Sequence, residues 1–463
     1  MPVLSKVMFR AYDIRGKVAD ELTPEATGVI GKAFGSYIQR HDGPRLAVGR
    51  DNRTSSPALH QAFVEGALSA GCDITDIGLA TSPMLYFAVV SLELDGGVSV
   101  TGSHNPIQYN GLKLTGREAR AVAEDEIQEI WRIADGGEFA LGSGQLTERS
   151  VTDDYLAELE KRAHLQRPLK VCVDCGNGTA SIVAPQLLRR IGCDVIELYC
   201  ESDGTFPHHL PDPEDEASVQ DLMRLVTAEG ADLGIGFDGD CDRIGVIDET
   251  GKRHEADELM ILIARDFLAK HRGERVMMDV KCSETLIDDV RAHGGEPVMY
   301  KTGHSLIKRK MKEEGILMAG EVSGHLFFAD DYYGFDDALY AAVRFLNVIS
   351  QDERPLSHLW DGVPKTYHTP ELKAPTPDTD KFRVVEEVRS HFAEHYPVLD
   401  IDGARITFPD GWALVRASNT NPYLTLRFEA KSREGLARIK EVVYSKVAEY
   451  PSVTLPEGHR HRA

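Results

Sequence analysis

The sequence has no uncharged apolar run of the roughly 18 residues that a membrane-spanning helix needs, so no membrane span is expected. The segment from Met1 to Tyr12 also lacks the apolar stretch of a secretory signal peptide. Positive charge is scarce, with 52 Lys and Arg against 74 Asp and Glu, a net charge of −22. This surplus argues against a nucleic acid or an anionic membrane as partner. An anionic small molecule would need a local basic pocket, since exposed charges are screened beyond about 8 Å.

Cysteine gives no sign of a disulfide framework or of a zinc site. The seven cysteines are odd in number and scattered along the chain. Only Cys172 and Cys175 form a C-x-x-C, and they fall in a predicted strand, where this spacing points them to opposite faces. We therefore expect reduced structural thiols and a cytoplasmic protein.

A chain of 463 residues is too long for one hydrophobic core and implies several domains. Three stretches alternate strand-like runs with amphipathic helical runs, which is typical of parallel α/β sheets. The last hundred residues instead contain three strands with short turns, ARITF, GWALVRA and YLTLRFEA, which indicate an antiparallel α+β module. We predict three similar mixed or parallel α/β domains (1–153, 154–254 and 255–367) and a C-terminal α+β domain with an antiparallel sheet (368–463).

Each α/β stretch ends in a polar loop that contains glycine. TGSHNP follows the strand GGVSV (96–100), DGDCDR follows ADLGIGF (231–237), and EVSGH follows ILMAG (316–320). Ligands of such sheets bind beyond the carboxyl ends of the strands. The three loops are therefore predicted to contribute to one shared site.

The second loop places Asp238, Asp240 and Asp242 at alternate positions. Three neighbouring carboxylates favour a cation, and oxygen ligands suit Mg²⁺ or Ca²⁺. An EF-hand does not fit, because Arg243 occupies the position that requires glycine. A dinucleotide fingerprint also fits formally, but a strand follows where that motif needs a helix. We favour a metal site over an ordinary acidic loop.

The first loop places Ser103 on a turn directly after a strand. A lone turn serine is usually structural. The chain has no G-x-S-x-G nucleophile elbow and no G-x-x-x-x-G-K-[ST] phosphate loop, which argues against a serine hydrolase and an ATP-dependent kinase. If Ser103 carries a phosphate, the metal could bridge it, and Arg243 and Lys113 are plausible basic partners.

Two further loops carry polar groups of a kind that binds sugar phosphates. Arg416 is followed by hydroxyl and amide side chains in RASNTNP, which suits a phosphate clamp, although a plain hairpin turn fits as well. Glu321 and Ser323 lie two apart at a predicted strand end and would face alike, as two neighbouring sugar hydroxyls require.

Taken in order, five motifs resemble those of the α-D-phosphohexomutase superfamily, in particular the bacterial phosphomannomutase/phosphoglucomutase branch: FRAYDIRG (9–16), TGSHNP (101–106), DGDCDR (238–243), GEVSGH (320–325) and RASNTNP (416–422). The resemblance spans nearly the whole chain and implies four domains arranged around a central cleft. Two positions depart from the family pattern. Gly102 stands where Ala is frequent, and Cys241 stands where Gly is usual, which we take as a hint that the metal loop is sensitive to oxidation.

The resemblance also implies roles. Ser103 would carry the phosphoryl group and, with Asp238, Asp240 and Asp242, would hold one Mg²⁺ per chain. Glu321 and Ser323 would bind sugar hydroxyls, and Arg416, Ser418, Asn419 and Thr420 would hold the phosphate that does not react. The supporting residues would be Tyr12, Arg15, His104, Lys113, Arg243, Lys281, His304 and His325. His104, Lys113 and His325 are unranked candidates for the general base.

The implied reaction interconverts hexose 1-phosphate and hexose 6-phosphate through a phosphoserine enzyme and a hexose 1,6-bisphosphate. Glucose and mannose differ only at C2, so a site that reads other hydroxyls should accept both. Within the superfamily, a phosphoglucosamine-type mutase is the alternative. Outside it, a metal-dependent sugar phosphatase and a non-catalytic sugar-phosphate binding protein are the remaining hypotheses.

Overall fold

The computed structural model describes residues 4–418 and 421–456, which form four domains with one β-sheet each. Three of the sheets are mixed and the fourth is antiparallel, so the predicted fold class is confirmed. Among the described residues, no helix is both long and apolar enough to cross a membrane.

Domain I has a six-stranded sheet in the order β1-β5-β4-β2-β3-β6. Its strands β2, β3, β4 and β6 are parallel, and β5 runs antiparallel between β1 and β4. The strands are β1 (Ile14–Lys17), β2 (Arg45–Arg50), β3 (Asp73–Leu79), β4 (Gly96–Val100), β5 (Tyr109–Gly116) and β6 (Leu146–Glu148), and the helices are α1 (Pro24–His41), α2 (Ser56–Ser69), α3 (Ser82–Ser91) and α4 (Asp125–Gly136).

Domain II has a five-stranded sheet in the order β11-β10-β9-β7-β8, in which β7, β8 and β9 are parallel and β10 is antiparallel to β9. The strands are β7 (Lys170–Asp174), β8 (Asp194–Leu198), β9 (Leu233–Phe237), β10 (Ile244–Asp248) and β11 (Arg253–His254), and the helices are α5 (Thr152–Glu160), α6 (Ala184–Arg190) and α7 (Gln220–Glu229).

Domain III has a four-stranded sheet in the order β13-β12-β14-β15, again with three parallel strands and a last antiparallel one. The strands are β12 (Arg275–Asp279), β13 (Glu296–Tyr300), β14 (Met318–Gly320) and β15 (Leu326–Phe328), and the helices are α8 (Ala256–Lys270), α9 (Glu284–Ala292), α10 (His304–Glu314) and α11 (Ala338–Ile349).

Domain IV is built on the hairpin of β20 and β21, to which β16, β17, β18 and β19 add antiparallel pairs. The strands are β16 (Tyr367–His368), β17 (Leu372–Pro375), β18 (Val398–Leu399), β19 (Ala404–Phe408), β20 (Gly411–Ala417) and β21 (Tyr423–Ala430), and the helices are α12 (Lys381–Ala393) and α13 (Arg433–Val447). Short 3₁₀ turns lie at Lys6–Met8, Arg117–Ala119, Thr179–Ile182 and Leu356–His358.

The three α/β domains repeat one hairpin at the same place in the sheet. The third parallel strand turns back into an antiparallel neighbour at β4–β5, β9–β10 and β14–β15. Strands β4, β9 and β14 are buried along their whole length, as expected for strands covered on both faces. Each polar loop predicted from the sequence is the turn of one of these hairpins.

Continuous apolar packing joins the α/β domains. One buried cluster extends from α3 in domain I through β7 and β9 to α8 and α11 in domain III. Domain IV has a separate core between its sheet and the helices α12 and α13. Domain IV is therefore fixed to the rest of the molecule mainly by polar contacts and a small apolar cluster around Val280 and Trp412.

A buried imidazole also joins domain II to domain III. His254 in β11 lies 2.8 Å from Asp248 Oδ2 and 3.0 Å from Glu258 Oε2, and its ring stacks on Trp360 at 3.9 Å. Burial would lower the pKa of His254, but the two carboxylates outweigh burial and raise it. The imidazolium in turn helps to lower the pKa of both carboxylates to about 2, against the effect of their own burial.

We predict that His254→Gln destabilises the protein most at mildly acid pH. A His whose folded pKa is raised adds stability that is fully present below its unfolded pKa, about 6.5, and is lost as the pH rises through the folded pKa. Urea titrations should therefore show a loss of about 2 kcal/mol near pH 6 that shrinks as the pH rises through the folded pKa. The exposed His358→Gln is the control. A deficit of equal size at every pH would contradict this prediction.

Candidate functional site

A cleft of about 800 Å³ lies between the four domains, and side chains of all four line it. The turns of all three repeated hairpins contribute to its wall. The lining includes Tyr12, Arg15, Ser103, His104, Lys113, Arg243, Lys281, His304, Glu321, Ser323, His325, Arg416 and Ser418, which are the predicted site residues outside the acidic trio and the pair Asn419 and Thr420. The structure therefore brings together residues that lie as far apart in sequence as Tyr12 and Ser418.

The serine loop is the turn between β4 and β5. Ser103 is 1% exposed, and its hydroxyl donates a hydrogen bond of 2.9 Å to Asp238 Oδ2 of domain II. His104 Nδ1 lies 3.2 Å from the same Oγ. Burial lowers the pKa of His104 well below its usual value, so this imidazole is neutral beside the hydroxyl.

The acidic loop is the turn between β9 and β10. Asp238, Asp240 and Asp242 are fully buried, and each offers a carboxylate oxygen within 4.8 Å of the other two. Lys113 of β5 contacts Asp240 Oδ2 at 2.6 Å and also bonds to Asp242. A serine, Ser82 at the start of α3, donates to Asp240 Oδ2 at 2.5 Å.

The close approach of the two loops requires a glycine. A Cβ on Gly239 would lie 2.4 Å from the carbonyl oxygen of Ser103, a distance that real Cβ atoms do not show. A second backbone contact, from Ser82 N to Asp240 O at 3.0 Å, fixes the other side of the acidic loop. Domain I therefore holds the acidic loop at three points: Ser82, Ser103 and Lys113.

The charges of the trio fit a divalent cation. Burial, together with Asp242 and Asp240, raises the pKa of Asp238 well above its usual value. Burial acts the same way on Asp242, but Lys113 outweighs it and holds that pKa well below its usual value. Among the described residues, Oδ1 of Asp240 and Oδ1 of Asp242 are buried without a hydrogen bond, and Oδ1 of Asp242 has an ion-pair contact with His325 Nε2 at 3.5 Å. Buried carboxylate oxygens without hydrogen bonds, beside a hydroxyl, are a donor set suited to Mg²⁺.

A second group of possible ligand atoms overlaps the trio. It consists of Asp242, His325 and Asp336, again within 4.8 Å of one another. Asp336 is already paired with Lys308 Nζ at 2.7 Å and with His304 Nδ1 at 2.9 Å. The Lys308 ammonium compensates the charge of Asp336, so Asp238, Asp240 and Asp242 are the better candidates for a metal centre.

The turn between β14 and β15 carries Glu321 and Ser323. Both contact the same atom of His325, since Nδ1 lies 3.2 Å from Glu321 Oε2 and 3.0 Å from Ser323 Oγ. The two side chains do face alike, but the predicted reason is wrong, because they lie in a turn after β14 and not in a strand. Burial would lower the pKa of His325, yet the nearby carboxylates, Asp242 first, raise it to about 9.

Other predicted residues surround these loops. The ring of Tyr12 meets His304 edge-on at 5.5 Å, and His304 stacks on His325 at 5.2 Å. Arg15 bonds to Asp13 at 2.5 Å, and Arg243 Nε lies 3.4 Å from His325 Nε2. Ten Lys and Arg against eight Asp and Glu line the cleft, so its wall has a small excess of positive charge, whereas the chain as a whole is acidic.

Arg416 lies near the end of β20, on the domain IV side of the cleft. Its Nε donates to Asp402 Oδ2 at 2.6 Å, and Asp402 also accepts from Thr302 N in domain III. Within the described residues its Nη2 is buried without a hydrogen-bond partner. Ser418 begins the following turn, whose ends are joined by the buried Lys381, 2.5 Å from Ser418 O. Asn419 and Thr420 lie outside the described residues.

The fold also adds residues that the sequence did not suggest. Glu371 contacts Lys281 at 3.1 Å and joins domain IV to domain III. Ser82, Asp336 and Asp402 each orient a predicted site residue. None of the four belongs to a recognisable motif, and their partners lie 14 to 158 residues away in sequence, so the contacts made by the fold were the missing information.

Comparison with known proteins gives the same domain series. Four models of the phosphoglucomutase/phosphomannomutase family match in order: α/β/α domain I at 6–141, domain II at 153–251, domain III at 255–367 and the C-terminal domain at 371–446. The chain belongs to this family. Membership confirms the predicted superfamily and makes the chain a phosphohexomutase, an intramolecular phosphotransferase.

The similarity to individual family members covers nearly the whole chain. The phosphomannomutase/phosphoglucomutase of Pseudomonas aeruginosa is 44% identical over 443 residues, 95% of each chain. The phosphoglucomutase of Neisseria gonorrhoeae is 39% identical over 98% of this chain and 100% of that protein. The crystal structure of a family protein from Burkholderia thailandensis has a TM-score of 0.92 at 39% identity, covering 98% of this chain and 100% of that one.

We predict that Asp238→Asn weakens divalent-metal binding. Lys113 forms ion pairs with Asp240 and Asp242 but not with Asp238. The isosteric amide at position 238 therefore removes a ligand charge and leaves those two ion pairs in place. Mutation of residues that only hydrogen-bond to metal ligands lowers metal affinity by roughly 10–100-fold, so mutation of a ligand itself should lower it by about 100-fold or more. Calorimetric titration with Mn²⁺ measures this effect, with the exposed Asp288→Asn as the matched control. Unchanged Mn²⁺ affinity in Asp238→Asn would exclude the trio as the metal centre.

Proposed function

We propose that the protein interconverts mannose 1-phosphate and mannose 6-phosphate, and the corresponding glucose phosphates, through a phosphorylated Ser103 and a hexose 1,6-bisphosphate. The observation that carries the proposal is the hydrogen bond of 2.9 Å between Ser103 Oγ and Asp238. It joins the hydroxyl of a serine that lines the cleft to a buried, metal-type acidic trio. The bisphosphate would be both intermediate and activator, and the chain would act in the cytoplasm with its domains dividing near 153, 254 and 367.

Phosphoryl transfer needs alignment and neutralisation of charge more than covalent help from the protein. Mg²⁺ bound by the three aspartates would polarise the phosphoryl oxygens and offset their charge. Lys113 and Arg243 add fixed positive charge beside the acidic trio. Ser103 itself is held by its contact with Asp238 and by the close packing of its loop on Gly239.

The proton of the attacking sugar hydroxyl must go to a protein group. Among the three candidates, we propose His325, which Glu321 orients. Against the effect of burial, the charge of Asp242 raises the pKa of His325 to about 9, and a Mg²⁺ held by the three aspartates would offset that charge and favour the neutral imidazole that a general base requires. His104 contacts Ser103 Oγ and is suited to the proton of the serine. Lys113 is committed to two aspartates and fits a purely electrostatic role.

The bisphosphate must turn around between the two transfers, so a second phosphate site is needed. Arg416 supports that role, because it is held by Asp402 and keeps a buried Nη2 without a partner among the described residues. We propose that Ser418, Asn419 and Thr420 complete this clamp, and that Tyr12, Arg15, Lys281 and His304 contact the sugar phosphate from the surrounding wall. Glu321 and Ser323 would bind two sugar hydroxyls.

A metal-dependent phosphatase is the alternative with the same residues. It would release inorganic phosphate, whereas a mutase retains it. The second phosphate clamp favours the mutase, because simple hydrolysis has no use for it. A phosphoglucosamine-type mutase would share all these parts and differ only in the sugar.

We predict that the active protein is one phosphate heavier than its sequence after incubation with glucose 1,6-bisphosphate, and that the addition maps to Ser103. Hexose 6-phosphate should discharge it, because the serine is the carrier. Ser103→Ala should lose turnover by about 1000-fold or more, whereas the exposed Ser143→Ala should not. Intact-mass spectrometry and a coupled assay of both hexose phosphates measure these effects. Stoichiometric release of inorganic phosphate would identify a phosphatase.

We also predict comparable turnover of glucose 1-phosphate and mannose 1-phosphate. The two sugars differ at C2, and a site that reads two other hydroxyls through Glu321 and Ser323 does not separate them. Coupled assays with each sugar, and with glucosamine 1-phosphate as the third substrate, test this. Turnover of one hexose phosphate without detectable processing of the other would refute dual specificity.

A further inference from the structure

Arg53 is a buried arginine directly behind the serine loop. It follows β2 in domain I, is 1% exposed, and is one of the largest fully buried side chains among the described residues. Burying a guanidinium is costly unless its donors are satisfied. Its partners therefore show what the side chain is there to hold.

All four of its terminal hydrogen bonds go to carbonyls of one loop. Nη2 donates to Ser103 O and to Asn105 O, both at 2.6 Å. Nη1 donates to Pro106 O at 3.1 Å and to Tyr109 O at 3.3 Å. A guanidinium presents these donors in a fixed planar fork, which a lysine ammonium cannot copy.

Asp51 holds the same loop from the other side of Ser103. Its Oδ2 accepts from Gly102 N at 3.0 Å and lies 3.3 Å from Arg53 Nε. Ser56 donates to its Oδ1. The buried ion pair of Asp51 and Arg53 thus fixes both the N–H of Gly102 and the carbonyl of Ser103.

The fixed backbone is unusual. Ser103 has a φ of 49°, in the left-handed region that costs a non-glycine residue about 1 kcal/mol and persists only where its surroundings impose it. The carbonyl that Arg53 binds is also the one that packs on Gly239 of the acidic loop. Arg53 therefore binds the serine loop at the point where Ser103 contacts the acidic loop.

Domain II contacts Arg53 as well. The guanidinium lies 5.1 Å from the ring centre of Phe206, and Arg53 forms an isolated parallel bridge with Gly204. One side chain thus fixes the serine loop and touches the domain that supplies the three aspartates.

We propose that Arg53 is a positioning residue for phosphoryl transfer, which sets the distance and direction of Ser103 Oγ relative to Asp238 through the backbone carbonyls of the serine loop. Arg53 does not line the cleft, and it acts through its bonds to the serine loop. The inference rests on the proposed function, because its effect is read as phosphoryl transfer.

The test compares Arg53→Lys with the wild type and with Arg344→Lys. Arg344 is a buried arginine of domain III that binds Asp330, far from the serine loop, and gives the same chemical change as a control for folding. We expect kcat of Arg53→Lys to fall about 100-fold, the cost of misplacing a reacting group by about 1 Å. KM for the hexose phosphate and the Mn²⁺ affinity of the unphosphorylated protein should stay within about threefold, since other loops bind the sugar phosphate and the three aspartates supply most of the metal ligands. Arg344→Lys should change stability alone.

Retention of kcat in folded Arg53→Lys, or an equal loss of kcat and of Mn²⁺ affinity, would overturn the inference. If Arg53→Lys does not fold, Asp51→Asn tests the same ion pair, because it keeps the shape of the side chain and removes the charge that lies 3.3 Å from Arg53 Nε. The same fall in kcat at constant KM supports the proposal, and unchanged kcat contradicts it. A wild type without mutase turnover would instead refute the proposed function.

Discussion

The structure depends on the contact between a hydroxyl loop of domain I and an acidic loop of domain II. Ser103 Oγ bonds to Asp238, the Ser103 carbonyl packs on Gly239, and Lys113 bonds to the other two aspartates. Three buried carboxylates repel one another, so the loop needs cations brought by other parts of the molecule. In the structure, the Lys113 ammonium meets that need, and the same electrostatics favour a divalent ion.

A repeated piece of architecture makes the contact possible. In each α/β domain the third parallel strand turns back into an antiparallel neighbour, and the turn projects into the cleft. Three copies of one hairpin therefore supply the three turns that carry Ser103, the acidic trio, and Glu321 with Ser323, which we propose as nucleophile, metal ligands and sugar contacts. The fourth domain has another sheet and another core, and its Arg416 turn adds a separate cationic site. This division of tasks suits a substrate that carries phosphate at either end.

The domain classes and the loops of the site were predictable from the sequence, because each is encoded by a contiguous stretch of residues. Strand and helix periodicity predicted the α/β and α+β domains, and the loops with Ser103, Asp238, Glu321 and Arg416 were recognisable because each is contiguous. The partners that orient them were not. Ser82 contacts Asp240 across 158 residues, and Glu371 contacts Lys281 across 90, so neither pair leaves a short-range pattern. The strand alternation used for Glu321 and Ser323 failed because both residues lie in a turn.

The central claim is that the Ser103 oxygen and the three aspartates share one divalent ion. The most direct measurement is ³¹P electron–nuclear double resonance on the protein phosphorylated at Ser103 and loaded with one equivalent of Mn²⁺. The account predicts a strong ³¹P coupling to Mn²⁺, as direct ligation by a phosphoryl oxygen produces, and its disappearance in Asp238→Asn. A Mn²⁺ ion bound at full occupancy without any ³¹P coupling would contradict it.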